Sequence, residues 1–271
     1  MSIILSKKLG LIAGDGELPV VLARSATQSG FEIVAISLSS DNTTALKRYC
    51  SKVYSYGPGE VQKTMDALHK EGITQITFIG KVHKGMLFRK PKLDKRAFKL
   101  LSQIKRLNDD AIMLTVVGEL EKEGIAVLDQ SIFLKELLAA KGVLGEHKPT
   151  PEQLADIEYG FEIAKHIGKI DIGQTVVVQN KMILAVEAIE GTDRAIERGC
   201  RLGKKQAVVV KVSKPKQDNR FDIPTAGVHT LKTMKKYGAN VLAIEANETF
   251  IVQKDEMIEF ADKNKMVLIA V

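Results

Sequence analysis

The chain has 271 residues, 45% of them apolar and only 5% aromatic, with no tryptophan and a formal charge of +7. That length holds one large domain or two ordinary ones, and aliphatic side chains must fill the cores. Its two cysteines, Cys50 and Cys200, stand in different halves, and its five histidines (His69, His83, His147, His166, His229) form no spaced pair. This excludes a disulfide framework and a structural zinc site, and points to a reducing compartment. Residues 1–8 lack the pattern of a secretion signal, and no apolar run reaches the ~20 residues that span a bilayer. A cytoplasmic protein is expected, at most peripheral on a membrane. The basic balance favours an anionic partner, although lysines spread over helices give the same number.

In chain order, residues 9–13 predict a strand, 14–19 a turn, and 20–29 a helix ended by Gly30, with Pro19 suited to the first helical position. Strands over 31–38, 52–56 and 73–79 and a helix over 58–70 continue the alternation. Strand–helix alternation of this kind predicts a parallel, doubly wound sheet. Apolar spacings of three and four predict helices over 93–107 and 110–123, with Asn108 and Asp109 placed to cap the second. A strand over 125–128 and a helix over 131–140 follow. Glycine, proline and polar residues crowd 141–151, the signature of a linker. The domains expected are therefore 1–142, a linker over 143–150, and 151–271. The second opens with a helix over 151–167 capped by Thr150. A hairpin over 175–179 and 183–188 turns at Asn180-Lys181, a weaker turn pair than Asn-Gly. Then come a helix over 194–202, a strand over 207–212, a loop, a helix over 228–237, a strand over 241–245, a helix over 254–264 and a strand over 266–271. This half reads as mixed α/β, with its topology left open.

Three stretches carry candidate chemistry. In Gly14-Asp15-Gly16-Glu17-Leu18-Pro19, glycines between a strand and a helix let backbone approach a phosphate. The dinucleotide fingerprint wants glycine where Pro19 stands, and Asp15 and Glu17 would oppose a pyrophosphate. A nucleoside or sugar contact is the functional reading, and a tight turn needing positive φ is the bland one. Lys81 follows the carboxyl end of a parallel strand, where such sheets bind ligands; a solvated lysine is the commoner case.

The second stretch, 187–193, places Glu187, Glu190, Asp193 and Thr192 between an apolar strand and a helix. Hard oxygen ligands of this kind suit magnesium with a phosphate substrate, while Thr192 or Asp193 can also cap the helix. The third stretch, 214–227, is stiffened by Pro215 and Pro224. Its Asp218 and Asp222 can hold a divalent ion or activate a water, and Arg220 or Lys216 can steady a phosphoryl oxygen. Gln217 and Thr225 can orient a substrate. A solvated surface turn is its bland reading. Asp171-Ile172-Gly173-Gln174 is an ordinary turn when taken alone. No Walker A, HExxH, CxxC or Ser-His-Asp spacing competes.

Taken together and in order, Gly-Leu-Ile-Ala-Gly-Asp-Gly-Glu-Leu-Pro (10–19), Asn-Asp-Asp (108–110), Asp-Ile-Gly-Gln (171–174), Ala-Val-Glu-Ala-Ile-Glu-Gly-Thr-Asp (185–193) and Lys-Pro-Lys-Gln-Asp-Asn-Arg-Phe-Asp-Ile-Pro-Thr-Ala-Gly (214–227) resemble one family. The resemblance, over residues 9–271, is to the LpxI family, UDP-2,3-diacylglucosamine diphosphatases of lipid A synthesis in Gram-negative bacteria. It implies an α/β fold, with a Rossmann-like N-terminal domain built on a parallel sheet and a distinct mixed α/β C-terminal domain. The lipid-bearing nucleotide is expected between the two. The implied reaction is magnesium-dependent hydrolysis to UMP and 2,3-diacylglucosamine 1-phosphate, with water attacking the sugar-side phosphorus.

The catalytic residues so implied are Asp218 and Asp222, with Arg220, and the choice of base between the two aspartates stays open. Substrate contacts are expected from Gly14, Asp15, Gly16, Glu17, Leu18, Lys81, Gln174, Gly191, Thr192, Lys214, Gln217 and Thr225. Metal ligands are expected among Glu187, Glu190, Asp193 and Asp218. The implied partners are the lipid nucleotide, an inner-leaflet surface met transiently, and a second copy of the chain, with no nucleic acid. The helix start Arg194-Ala195-Ile196 departs from the family's usual pattern. Two other classes stand beside this reading: a non-catalytic nucleotide-sugar or lipid binding module, and a nucleotide-dependent oxidoreductase, against which Pro19 speaks.

Overall fold

The first apolar run becomes β1 (Lys8–Ala13), in which Leu9 and Leu11 are fully buried. Burial on both faces is the mark of a central parallel strand covered by helices. β1 pairs in parallel with β2 (Glu32–Ser37) on one side and β4 (Gln75–Ile79) on the other. With β3 (Lys52–Ser55) and β5 (Ala126–Val127) the sheet runs β3-β2-β1-β4-β5, every pair parallel. The order reverses between β1 and β4, the topological switch point of a doubly wound sheet. The computed structural model describes residues 7–82, 93–104, 109–203 and 206–271. Asn108 and the side chain of Asp109, expected as caps, lie outside the described residues, as do His83, residues 84–85 and the end of the helix predicted over 93–107.

Helix α1 (Leu18–Gln28) carries Pro19 in its first turn and buries Leu22, Ala23 and Ala26. α2 (Ser40–Leu46) was not predicted. It is short and polar, and it is started by Ser39, whose side chain accepts from the Asp41 amide. α3 (Val61–Lys70) begins later than residue 58 because Gly57-Pro58-Gly59 forms a turn tied by the Glu60 carboxylate to the Gly57 amide at 2.7 Å. α4 (Lys95–Ser102) is capped by Asp94, and α5 (Asp109–Lys122) follows. The helix predicted over 131–140 is instead two 3₁₀ turns, Gln130–Phe133 and Lys135–Leu137. Leu134 leaves helical geometry at φ −131°, and the Ala139 amide is taken by the Thr249 carbonyl at 2.9 Å, so the intrahelical bonds are not available.

Two units result: Met1–Leu134 with Asn219–Phe221, and Lys135–Asp218 with Asp222–Val271. The second unit contains β6 (Gly142–Val143), α6 (Pro151–Lys169), β7 (Thr175–Gln179), β8 (Met182–Val186), α7 (Thr192–Leu202), β9 (Ala207–Lys211), β10 (Thr225–Ala226), α8 (Val228–Tyr237), β11 (Ala239–Ile244), β12 (Phe250–Ile251), α9 (Lys254–Lys263) and β13 (Val267–Ala270). Thr150 and Gln153 form a reciprocal capping box at the start of α6. The main sheet runs β6-β13-β11-β9-β7-β8. Strands β13, β11 and β9 are parallel to one another, while β6 and β7 run against them.

The β7–β8 hairpin turns at Asn180 and Lys181, with φ of 52° and 55°, the left-handed pair that a tight hairpin demands. Lysine is accepted there because buried Asp156 on α6 takes the amides of Asn180 and Lys181 at 2.9 and 2.6 Å. A separate two-stranded parallel pairing, β10 with β12, was not visible in the pattern, since each strand is two residues long. The fold is thus α/β, a Rossmann-like parallel sheet unit followed by a distinct mixed α/β unit. Among the described residues no helix is long and apolar enough to cross a membrane.

Candidate active site

The topology of the second unit brings four chain segments to one sheet edge. β9 and β11 both end there, antiparallel β7 begins there, and β8 ends there. Backbone bonds carry the pairing one step past the strands. The Glu187 amide donates to Thr175 at 2.9 Å, Val212 to Gln174 at 3.0 Å, and Glu245 to Lys211 at 3.2 Å. Gln174, Glu187, Lys211–Lys214 and Glu245 therefore meet at the carboxyl edge, where α/β sheets place ligands.

Glu187 is buried, 8% exposed. One of its oxygens, Oε1, accepts from the Thr192 hydroxyl at 2.9 Å, while Oε2 is buried without a hydrogen-bond partner, as is Oε1 of Gln174. Buried acceptors left unpaired are costly and mark places where a water, an ion or a ligand group is missing. Gly173 has no room for a side chain, because a Cβ would overlap the Glu187 carbonyl. Gly191, at φ 83°, turns the chain into α7 and leaves Thr192 at its first position. Glu190 is tied to Arg198 at 2.6 Å and to the Ala188 amide at 3.2 Å, and the guanidinium holds its carboxyl below the ordinary glutamate range. Asp193 faces His229 at 3.2 Å.

The loop after β9 is shaped by short-range bonds. The Lys214 amide donates to the Gln217 side chain at 2.7 Å, Gln217 N returns to the Lys214 carbonyl at 2.9 Å, and Asp222 N donates to Asp218 O at 3.0 Å. The Lys214 ammonium lies 2.7 Å from Asp171 and 3.9 Å from Asp222. Asp171 holds a left-handed φ of 57°. In this way the turn 171–174, unremarkable alone, joins the charged loop on one side and Glu187 on the other. Arg220 instead pairs with Glu121 at 3.0 Å, and the Gln130 amide donates to Asn219 O at 3.0 Å, both within the first unit. The Thr225 hydroxyl donates to Ile223 O at 3.2 Å.

In the first unit the glycine turn meets Lys81 through main chain. Gly14 N donates to Ile79 O at 2.8 Å, and Asp15 and Lys81 exchange two amide bonds at 2.7 and 3.0 Å. A Cβ on Gly14 would stand 2.5 Å from the Lys81 carbonyl, so glycine is required by the neighbouring turn. Gly16 has φ 94°, and Glu17 is the residue before α1 without a capping side-chain bond.

Among the described residues no three His, Cys, Asp or Glu side chains converge into a group able to hold a metal ion. Of the expected ligands, Glu190 and Asp193 face Arg198 and His229, whereas Glu187 presents a buried, unpartnered hard oxygen. Magnesium usually takes one or two carboxylates and completes its shell with waters and substrate phosphate. The donor set at Glu187 and Gln174 fits that shared mode of binding and not an all-protein cage. Neither cysteine offers a nucleophile, since burial pushes the Cys50 thiol up to about 12 and that of Cys200 to about 11.

Residues 8–137 match the LpxI N-terminal domain and residues 140–269 the LpxI C-terminal domain. The chain belongs to the LpxI family. It is 35% identical to the UDP-2,3-diacylglucosamine pyrophosphatase LpxI of Caulobacter vibrioides over 267 residues, 94% of each chain. Solved structures with partial likeness include an ADP complex of N5-carboxyaminoimidazole ribonucleotide synthetase (15% identity, TM-score 0.31, 66% of this chain and 34% of that one). Another is a biotin carboxylase domain of Hydrogenobacter thermophilus (16% identity, TM-score 0.28, 72% and 41%). This chain spans well under half the length of those two, and superpositions of that quality bear on neither fold nor function.

For this LpxI chain, reading the motifs as a set brought out Gln174, Glu187, Thr192, Lys214 and Asp222, which the structure places along one edge. It overlooked Lys165, Lys211 and Glu245. Lys211 left a signal, a lysine inside the run Ala207-Val208-Val209-Val210-Lys211-Val212, and it is buried at 8% exposure. Lys165 and Glu245 left none, since charged residues on a helix and at a strand end are ordinary.

Proposed function

We propose that this chain hydrolyses the pyrophosphate of UDP-2,3-diacylglucosamine to UMP and 2,3-diacylglucosamine 1-phosphate. The observation that carries this reading is the 35% identity with the Caulobacter vibrioides pyrophosphatase over 94% of both chains. The chemistry of the second unit's sheet edge supports it. Pyrophosphate hydrolysis needs a positioned water, a proton acceptor and positive charge to offset the developing phosphoryl charge. Asp218 or Asp222 takes the proton as the water oxygen bonds to the sugar-side phosphorus. The bridging P–O bond breaks, and UMP leaves with the bridging oxygen. Lys214, paired with the carboxylates of Asp171 and Asp222, can exchange one of them for a phosphate oxygen. Gln217 shapes the backbone around it.

Glu187 would hold a magnesium ion shared with the substrate, with Gln174 beside it. Such an ion supplies Lewis-acid polarisation of the phosphoryl oxygens. The substrate's two acyl chains place the reaction at a lipid surface, and the net charge of +7 favours an anionic leaflet. The test is turnover of UDP-2,3-diacylglucosamine in H₂¹⁸O with magnesium. UMP release with the label in the sugar phosphate is expected. Label in UMP would overturn the assigned point of attack, and absence of UMP would overturn the activity.

A further inference from the structure

We infer that the loop 214–224 is held in its working position by side chains outside it: a Lys165–Glu245 clamp at its first foot and Lys211 at its last. All three are positioning residues for the reaction proposed above, and the inference rests on that reading for its kinetic consequence.

The first foot is Ser213, where the chain leaves the sheet. Val212 N still bonds to Gln174 O in the manner of a strand. At Ser213, 3% exposed, the neighbouring strands no longer supply partners and side chains replace them. Ser213 N donates to Glu245 Oε2 at 2.7 Å. Lys165, on α6, donates to Ser213 O at 2.7 Å and lies 2.7 Å from the Glu245 carboxylate. The ring Lys165–Glu245–Ser213 thus occupies both main-chain groups of one residue with charge-assisted bonds, the strong kind.

The last foot is Thr225. Its carbonyl accepts from the Lys211 ammonium at 2.9 Å, and β10 then pairs with β12, with Phe250 N on Pro224 O at 2.8 Å. Lys211 sits in a strand of buried valines, opposite Thr175 and Ile244. An ammonium buried at such a position costs free energy that a methionine there would avoid. Sheet stability alone does not call for a lysine. Holding Thr225 does.

Between the feet lie Asp218 and Asp222, steadied in the second unit by turn bonds and by the Lys214 contacts. A polar loop of this length is spatially imprecise unless its ends are fixed, and a misplacement of about 1 Å at a reacting group can cost about a hundredfold in rate. Each of these bonds acts on main chain at one of the loop's two feet, and so on the position from which the loop starts and ends.

The test uses the full chain with Lys211→Met, Lys165→Met, Glu245→Gln and Lys211→Arg. We expect the first three to lower kcat by about 10- to 100-fold with KM for the lipid nucleotide within about threefold. Lys211→Arg should regain part of the loss. Amide exchange over 214–224 should accelerate in the first three variants while 175–179 and 207–211 stay protected. Wild-type kcat with unchanged loop exchange would overturn the proposal. So would exchange that rises equally through the sheet, which is the signature of a merely structural role. Should Lys211→Met not fold, Lys165→Met and Glu245→Gln, whose own side chains are partly solvated, decide the first foot and Lys211→Arg the second. If the wild-type chain does not turn over the lipid nucleotide, the functional reading fails, and the exchange comparison still decides whether the clamps order the loop.

Discussion

The carboxyl edges of the two sheets are built from different materials. At the switch point of the first sheet, between β1 and β4, the turns at Gly14-Asp15 and Gly80-Lys81 are stitched by main-chain bonds. The glycines are there because the two turns approach within contact distance: a Cβ on Gly80 would stand 2.8 Å from Asp15 O. At the same place in the second sheet, charged side chains meet, and two buried oxygens, on Gln174 and Glu187, have no partner. A glycine-rich turn after a strand invites a phosphate-binding reading, yet at Gly14 and Gly80 packing by itself already asks for glycine. The unpartnered oxygens of Glu187 and Gln174 lie beside the charged loop of the second unit, and that is where the chemistry is expected.

Replacing the loop carboxylates tests this division most strongly. Asp218→Ala and Asp222→Ala should each lower kcat by about 10²–10⁴, measured as UMP release, while Asp15→Ala in the first unit's turn should spare kcat. The variant that loses the acidic limb of the kcat/KM–pH profile identifies the base. Full turnover by the double variant would remove the second-unit edge from the mechanism. Next in size is Glu187→Gln, which keeps the shape and deletes the charge. It should raise the magnesium concentration for half-maximal activity at least about tenfold, and it should weaken Mn²⁺ binding measured by electron paramagnetic resonance without substrate. Chelation of divalent ions should stop the wild-type reaction. Unchanged ion binding in Glu187→Gln would place the ion elsewhere.

The asymmetry between the edges also explains what was legible in the sequence. The first sheet was readable because its strands are continuous apolar runs separated by helix-period segments, and parallel pairing follows from that order. The hairpin of β7 and β8 was readable from two runs two residues apart. The β10–β12 pairing and α2 were not, because two-residue strands and a polar seven-residue helix carry no period. At the site, Glu187 stood out as a carboxylate within an apolar strand. Asp171 mattered only once the fold set it 2.7 Å from Lys214, a contact 43 residues apart in sequence. Lys165 and Glu245, 80 residues apart, were beyond any local pattern.

A smaller effect separates packing glycine from binding glycine. If Gly14 serves the neighbouring turn, Gly14→Ala should lower stability by about 1–3 kcal/mol in urea unfolding, with KM little changed for the molecules that remain folded. A raised KM with stability kept would return the glycine turn to the role of a ligand contact and erase the contrast between the two edges.

The smallest effects test whether the second unit's hairpin owes its register to its own turn or to α6. Asp156 accepts the amides of Asn180 and Lys181, so Asp156→Ala leaves both without that acceptor and should cost about 2 kcal/mol. Lys181 at φ 55° bears left-handed strain that glycine lacks. The greater unfolded-state freedom of glycine cancels part of the relief, so Lys181→Gly should gain only about 0.5 kcal/mol. Measured in the Asp156→Ala background, the same substitution should gain more, because the strained turn has then lost the acceptor that held it. Equal gains in both backgrounds would mean that Asp156 and the turn act independently. The edge carrying Glu187, which the hairpin's second strand delivers, would then be set without help from α6.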